Sequence, residues 1–548
     1  MTPYHFRQRE IVTRISNLAS QQPVLPSGLW FHHDIRDNFY YASYLFAAAV
    51  DSTIPVSFDR DEMKALATSI LLQVLQLQDQ DPSSPTYGHW PLNLDPVPSE
   101  AKPHPLPVEI MGSLMVYFDS QYQAAFSDLL RTAFATAFLH IYQGNFYRKP
   151  MEQYGHHEAK FTSAKLIFGH KFQDTALIQD GHNSLQLTLN RIHTLGMWEY
   201  GSLPWFWHWV QAYTCAYTLE QNDSIRQDIS RLLDALWRQR SQYYLKGTWV
   251  GAHARGGWHD VPRDGNVLLD YVQYGDFILS EAMPRTEYAG FLFYEAPADA
   301  RQTALDRSKP LEVRQRITRL ESTGPVHLHS YAYITEHYAA GGMWERYTEF
   351  DNEQQRWDIT IPLVNEHSIN QAYFFHPGDG YHAGDPRHHS EYAHTLYHRN
   401  TVMALYSIPE TSPFDYIVGV LPKGTWQAEP SALYGLVENV YFAVHLMQPY
   451  QYEELGDRLS VRSEGRWNGV VIEAMAVEEA MQLGMESFEH FIEAMQANAP
   501  LFVADKDGVL QVQYRTRYNE ELQLTVHGPN HHEARIGGEQ VDFERYKV

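Results

Sequence analysis

The residue types suited to moving protons on a ligand gather in two aromatic-rich segments. WEYGSLPWFWHWVQAY, residues 198–213, sets Glu199, Tyr200, Ser202 and His208 among four tryptophans. Its Gly and Pro interrupt any helix across residues 201–204, so Glu199 and Tyr200 are expected at a helix entrance facing a cavity. A structural loop around a buried, hydrogen-bonded tyrosine accounts for the same residues. GTWVGAHARGGWHD, residues 247–260, places His253 and Arg255 in a Gly-rich loop between Trp249 and Trp258. Arginine offers a rigid fork matched to a carboxylate, and histidine gains or loses a proton near neutral pH. Together they suit holding and acting upon a uronic acid.

Three further clusters are weaker. YGHHEAKF carries His156, His157, Glu158 and Lys160 near the start of a helix and reads mainly as a solvated face. WFHHDIRDNFYYASY brings His32, His33, Asp34, Arg36, Asp37 and Asn38 beside Trp30 and two tyrosines, a composition that fits cleft lining. In residues 367–402, His376, Asp379, His382, His388, His389, Tyr392, His394 and His398 crowd together. No His-Glu-x-x-His spacing occurs there, so a loop over a helical cavity explains them better than a metal site. The candidate catalytic residues are therefore Tyr200, His253, Arg255 and Glu199. The candidate substrate contacts are Asn38, His157, Trp205, His208, Trp258 and His398, and no metal or other cofactor is expected.

A chain of 548 residues exceeds what one core usually organises, and two domains are expected. Its 36 Tyr, 26 Phe and 13 Trp supply flat faces and hydrogen-bonding edges suited to sugar rings. The formal charge of −24 argues against nucleic acid or an anionic membrane surface as partner. The N-terminus lacks an apolar signal-like run, and no segment is long enough to cross a bilayer, so a cytoplasmic location is expected. Cys215 is the only cysteine, which rules out an internal disulfide and fits a reducing compartment.

The elements that must position these residues change character along the chain. Asp59 with Glu62 caps a helix whose apolar stripe is Met63, Leu66, Ile70, Val74 and Leu77. Similar stripes run through Phe126, Leu130, Ala133, Ala137 and Ile141, and through Ile225, Ile229, Leu232 and Leu236 after a capping box at Ser224 and Gln227. Long loops at Pro82 to Pro107 and Gly247 to Asp264 read as functional. From Pro325 the runs VHLHSYAYI, RWDITIPLV, NTVMALYSI, DYIVGVL, NVYFAVHLM, VLQVQYRT and ELQLTVH read as antiparallel strands, with SFEHFIEAMQ a late helix. The expected fold class is α+β multidomain: an (α/α) toroid over residues 1–320 carrying the cleft, then an antiparallel β-sandwich over 321–548.

These features resemble the polysaccharide lyases of the heparinase II/III-like and alginate-lyase-like superfamily. Glu199-Tyr200-Gly201-Ser202-Leu203-Pro204 is similar to a Glu-Tyr-x-Ser-Pro segment of such toroids, and Ala252-His253-Ala254-Arg255 to their Gly-x-x-x-Arg loop. Tyr397-His398-Arg399-Asn400-Thr401-Val402 is similar to a His-Asn-Thr-Val strand entry. Pro204 stands one position late, Arg399 is inserted, and the His-Gly-His-Ala-Asp segment of a structural zinc site is missing, so zinc is not implied. The resemblance implies β-elimination on an anionic, uronate-containing oligosaccharide or polysaccharide. Arg255, helped by Asn38 or a histidine, would stabilise the enolate, His253 would be the base, and Tyr200 base or acid. Two rivals keep the fold: a toroidal glycoside hydrolase using Glu199 with Asp260 or Glu158, and a non-catalytic carbohydrate-binding protein.

Overall fold

The structure is a computed structural model that describes residues 2–256, 267–279, 287–349, 353–362, 368–385, 387–505, 508–528 and 531–548. The chain forms two compact units. The first comprises Met1–Ile192, Pro204–Arg238 and Leu268–Pro297, and the second His193–Leu203, Gln239–Val267 and Ala298–Val548. Residue 320 lies inside a β-hairpin in which Glu321 pairs with Gly324, and two short segments before residue 298 belong to the second unit.

The first unit is helical. Ile35–Val50 packs against Pro3–Gln21, Arg60–Gln76 and Pro105–Tyr122, and the last of these also contacts Asp128–Gly144 and His156–Phe172. Asp59 caps its helix by accepting from the Glu62 backbone N–H, as its sequence position requires. The buried stripe there is Met63, Ala67, Ile70, Leu71, Val74 and Leu75. It is rotated slightly from the expected one, leaving Leu66 and Leu77 half-buried, because the packed face follows the neighbouring helices as well as the largest side chains. The helix Asp223–Gln242 buries Ile225, Ile229, Leu232 and Leu236. Its start is set by Asn222, whose Oδ1 accepts from the Ser224 and Ile225 N–H groups, and not by a box at Ser224.

The second unit is built on antiparallel sheets. One runs, edge to edge, Tyr450–Glu454, Leu459–Glu464, Tyr416–Leu421, Gln371–Phe375, Trp357–Thr360, Ala339–Met343, Gly324–Ile334 and Leu311–Glu321. A second runs Ala393–His398, Thr401–Ser407, Trp467–Ala476, Val440–Leu446, Ala432–Val437 and Thr425–Glu429. Side chains of both sheets share one core, with Ile359, Phe374, Val402, Leu405, Val444 and Ile472 fully or almost fully buried, as in a sandwich. A smaller sheet built on Leu510–Arg515 and Glu521–Val526 adds Val512 and Leu524 to that core. The strand Leu311–Glu321 precedes the expected boundary, and its charged residues conceal it from a search for apolar runs.

Candidate functional site

Three of the four candidate catalytic residues meet in the second unit. His253 and Gln355 exchange backbone hydrogen bonds of 2.9 and 3.0 Å, and the Gly256 N–H donates to the Glu353 carbonyl. The Ala254 N–H donates to the Tyr200 carbonyl at 3.1 Å, which ties the two sequence loops directly to each other. Gly201 makes this approach possible. Its φ is +62°, and a Cβ there would lie 2.0 Å from the Ala252 carbonyl oxygen.

Three consecutive residues then hold the three side chains or their backbone. Glu353 accepts from Arg255 Nε at 2.9 Å and from Arg387 Nη1 at 2.7 Å. Gln354 Nε2 donates to the Tyr200 oxygen at 2.6 Å, while its Oε1 accepts from Arg346 Nη1 at 3.0 Å. Gln355 pairs with the His253 backbone, and its amide donates to Asp358.

His253 is 2 % exposed and both its ring nitrogens are engaged. Nδ1 donates to the Gly201 carbonyl at 2.6 Å, and Nε2 lies 3.0 Å from Asp358 Oδ2. Burial raises the Asp358 carboxyl, and the His253 hydrogen bond opposes that rise. In this arrangement the ring has no lone pair directed at a ligand, and it locks Gly201 and the following loop in place.

Tyr200 is 5 % exposed. Burial, followed by the Glu349 carboxylate, pushes its phenol well above the usual value, and the Arg319 charge opposes them. Arg319 Nη2 lies 2.7 Å from Glu349 Oε1, and its guanidinium sits 4.7 Å from the centre of the Trp198 ring. Burial also raises the Glu349 carboxyl, against the pull of Arg319 and a hydrogen bond from Tyr200. Arg346 is pushed down to about 10, chiefly by burial. The phenol is thus protonated at rest, a form that the Glu349 carboxylate favours and the Arg319 charge and the Gln354 hydrogen bond oppose. Arg255 keeps about 30 % of its side chain exposed, and Glu199 is half-buried beside Tyr200.

Arg319, Arg346, Glu349, Glu353, Gln354 and Asp358 are absent from the sequence-derived set. They lie more than a hundred residues from Tyr200 in unremarkable strand and loop contexts, so no local signal marks them.

The other candidates have separate surroundings. Asn38 belongs to the first unit and is fully buried. Its Oδ1 accepts from the Trp30 and Phe31 N–H groups and its Nδ2 donates to the Phe31 carbonyl, which makes it the pin of that loop. Trp205 stacks on His156 with ring centres 5.4 Å apart, and His156 stacks on His208. His157 Nδ1 lies 2.7 Å from Glu109, and buried Lys160 lies 2.6 Å from the same oxygen. Burial works against ionisation of Glu109, but the His157 hydrogen bond and Lys160 charge outweigh it and hold the carboxyl down to about 2. Lys160 and Glu158 are therefore structural and buried, not solvated as the sequence suggests. Glu158 caps its helix by accepting from the Gln153 and Gly155 N–H groups.

His398 pairs with Glu520 at 2.9 Å and lines a cavity of about 200 Å³ with Trp344 and Tyr397. In the histidine-rich stretch, His376 is bonded to Ser390 and to the Phe414 carbonyl, and His389 stacks on Phe375. Among the described residues, no three His, Cys, Asp or Glu side chains are grouped as metal ligands. Trp258 and Asp260 lie outside the described residues.

Comparison with solved structures bears on the fold. The chain matches a Streptomyces coelicolor A3 chondroitin AC lyase in complex with chondroitin sulphate, with a TM-score of 0.50 and 10% sequence identity, over 96% of this chain and 90% of that one. The two chains share a fold. An (α/α) toroid followed by an antiparallel β-sandwich is the arrangement expected from the sequence. A tyrosine-to-alanine variant of the same lyase aligns over the same shares at 11% identity with a TM-score of 0.44. No protein-family profile and no curated protein matches the sequence. Among the described residues, no helix is long and apolar enough to cross a membrane.

Proposed function

We propose that the chain is a lyase that cleaves a uronate-containing oligosaccharide or polysaccharide by β-elimination, with Tyr200 as the group that moves the protons. The observation that carries this reading is the Tyr200 phenol set between the Gln354 amide and the Glu349 carboxylate, with Arg319 beside it. Tyr200 passes its proton to Glu349 in an uphill step that the Gln354 hydrogen bond and the Arg319 charge make smaller. The phenolate, supported by Gln354 and Arg319, removes the proton alpha to the uronate carboxylate. The electron pair left on that carbon forms the new carbon–carbon double bond as the bond to the glycosidic oxygen breaks. Tyr200 delivers the abstracted proton to the departing oxygen and regains its own from Glu349.

Abstraction demands that the uronate carboxylate be neutralised, because an enolate next to a bare carboxylate is too high in energy. Arg346, which shares Gln354 with Tyr200, and the half-exposed Arg255 are the cations offered to it. His253 enters as a positioning residue that fixes Gly201 and hence the Tyr200 backbone.

The test is incubation with glycosaminoglycan and alginate oligosaccharides while following the ultraviolet absorbance of an unsaturated uronate. Absorbance should rise with the wild type and fall by at least about a hundredfold in rate in Tyr200→Phe, within the range ascribed to general acid–base groups. New reducing ends without absorbance, or a Tyr200→Phe enzyme as fast as the wild type, would refute the reading.

A further inference from the structure

The first unit contains a cavity of about 490 Å³ lined by the helix Pro3–Gln21, the end of Ile35–Val50 and the segment around Phe291. Its volume falls within the range of roughly 300–1,000 Å³ typical of small-molecule sites. The wall is apolar at Val12, Ala47 and Ile54, all buried, and the rings of Tyr122 and Phe291 line it with their centres 6.1 Å apart. It also carries Arg9 and the exposed Asp51, with His5 one turn before Arg9 on the same helix.

Thr53 sets the two opposite charges side by side. Arg9 Nη1 donates to Thr53 Oγ1 at 2.9 Å and Arg9 Nη2 to the Thr53 carbonyl, while Asp51 Oδ1 accepts from the Thr53 N–H at 2.8 Å. These bonds go to neutral groups, so they cancel neither charge. Burial, followed by the Asp51 charge, pushes the Tyr122 phenol up to about 12, in keeping with a carboxylate close to that ring.

We infer that this cavity binds a free α-amino acid with an apolar or aromatic side chain. The ligand carboxylate meets Arg9, its ammonium meets Asp51, and its side chain lies among Val12, Ile54, Tyr122 and Phe291. An α-amino acid carries its two charges on either side of a single carbon, which matches a guanidinium and a carboxylate anchored to one residue. Both contacts are charge-assisted hydrogen bonds, the stronger kind. A ligand with one charge alone meets a like charge on the wall: an acid faces Asp51 and an amine faces Arg9.

The wall is also preformed. Arg60 donates to the Asp51 carbonyl at 2.9 Å and to the Ile54 carbonyl at 2.6 Å, which fixes the turn that presents Asp51 and Ile54. Gln8 donates its amide to the Ala289 carbonyl at 3.2 Å, and the Tyr44 hydroxyl accepts from the Gly290 N–H at 3.0 Å. These two bonds hold the segment that carries Phe291.

The experiment is calorimetric or saturation-transfer NMR titration of the full chain with phenylalanine, leucine, phenylpropionate and phenethylamine. Phenylpropionate lacks the ammonium and phenethylamine the carboxylate. At least one of the amino acids should bind saturably, and each analogue about tenfold more weakly or worse. Asp51→Asn and Arg9→Gln should each weaken amino-acid binding by about tenfold, with unchanged far-ultraviolet circular dichroism. Asp51→Asn preserves size and the acceptor for the Thr53 N–H, so it remains informative if Arg9→Gln fails to fold. Saturable binding of neither amino acid, an analogue binding as tightly as the better amino acid, or no loss in Asp51→Asn would each overturn the assignment. The readout is binding, so it is independent of whether Tyr200 supports elimination.

Discussion

Substituting alanine at Gly201 tests the contact that brings the tyrosine and histidine loops together. Two costs add. A non-glycine residue at φ +62° costs about 1–2 kcal/mol. The new Cβ would also stand 2.0 Å from the Ala252 carbonyl oxygen and 2.6 Å from the His253 Cα, where ordinary contact begins at 3.4 Å. That backbone must retreat by about 1.4 Å, which exceeds what the 2.6 Å bond from His253 Nδ1 to the Gly201 carbonyl and the 3.1 Å bond from Ala254 to Tyr200 can absorb. Losing two such bonds costs roughly 1–3 kcal/mol. The expected total is about 2–5 kcal/mol, read by urea unfolding of the second unit's tryptophan fluorescence. Gly484→Ala is the control: its φ is +83° and no atom lies within 4 Å of the added Cβ, so only the backbone term of about 1–2 kcal/mol applies. If the two variants lose equal stability, the close approach of the loops contributes nothing and the reasoning fails.

Two further outcomes follow from buried polar groups. Glu109→Gln should lower stability by roughly 3 kcal/mol near neutral pH, because the native carboxyl sits at about 2 against an ordinary 4.5. A depressed carboxyl stabilises above its unfolded value and loses that effect as pH falls, so the gap between wild type and variant should close between about pH 4.5 and pH 2 in thermal melts. A gap independent of pH would disprove the ion-pair origin. Asn38→Ala leaves the Trp30 and Phe31 N–H groups without their acceptor and should cost about 1–3 kcal/mol, with increased hydrogen exchange at those two amides. Unchanged exchange there would show that the side chain does not hold the loop.

The sequence alone determined the elements whose stabilisation is local. The cap at Asp59, the apolar stripe ending at Ile141 and the strands Leu510–Arg515 and Glu521–Val526 follow from periodicity and neighbouring side chains, which act within a turn or between adjacent residues. It also singled out Tyr200, His253 and Arg255 as candidates, from the Gly, Pro and Trp around them. Their partners were decided only by the tertiary structure. Glu349, Gln354 and Asp358 carry no local pattern, and only the folding of residues 193–203 and 239–256 onto the sheet-bearing unit brings them within bonding distance. The strand Leu311–Glu321 was hidden for the same reason: its eleven-residue pairing with Gly324–Ile334 is made by backbone groups, whereas its side chains read as polar. The role of His253 turns on this difference. Composition presents a titratable ring in a Gly-rich loop, but the Gly201 carbonyl and Asp358 occupy both nitrogens, and no sequence pattern encodes which atoms lie across a fold.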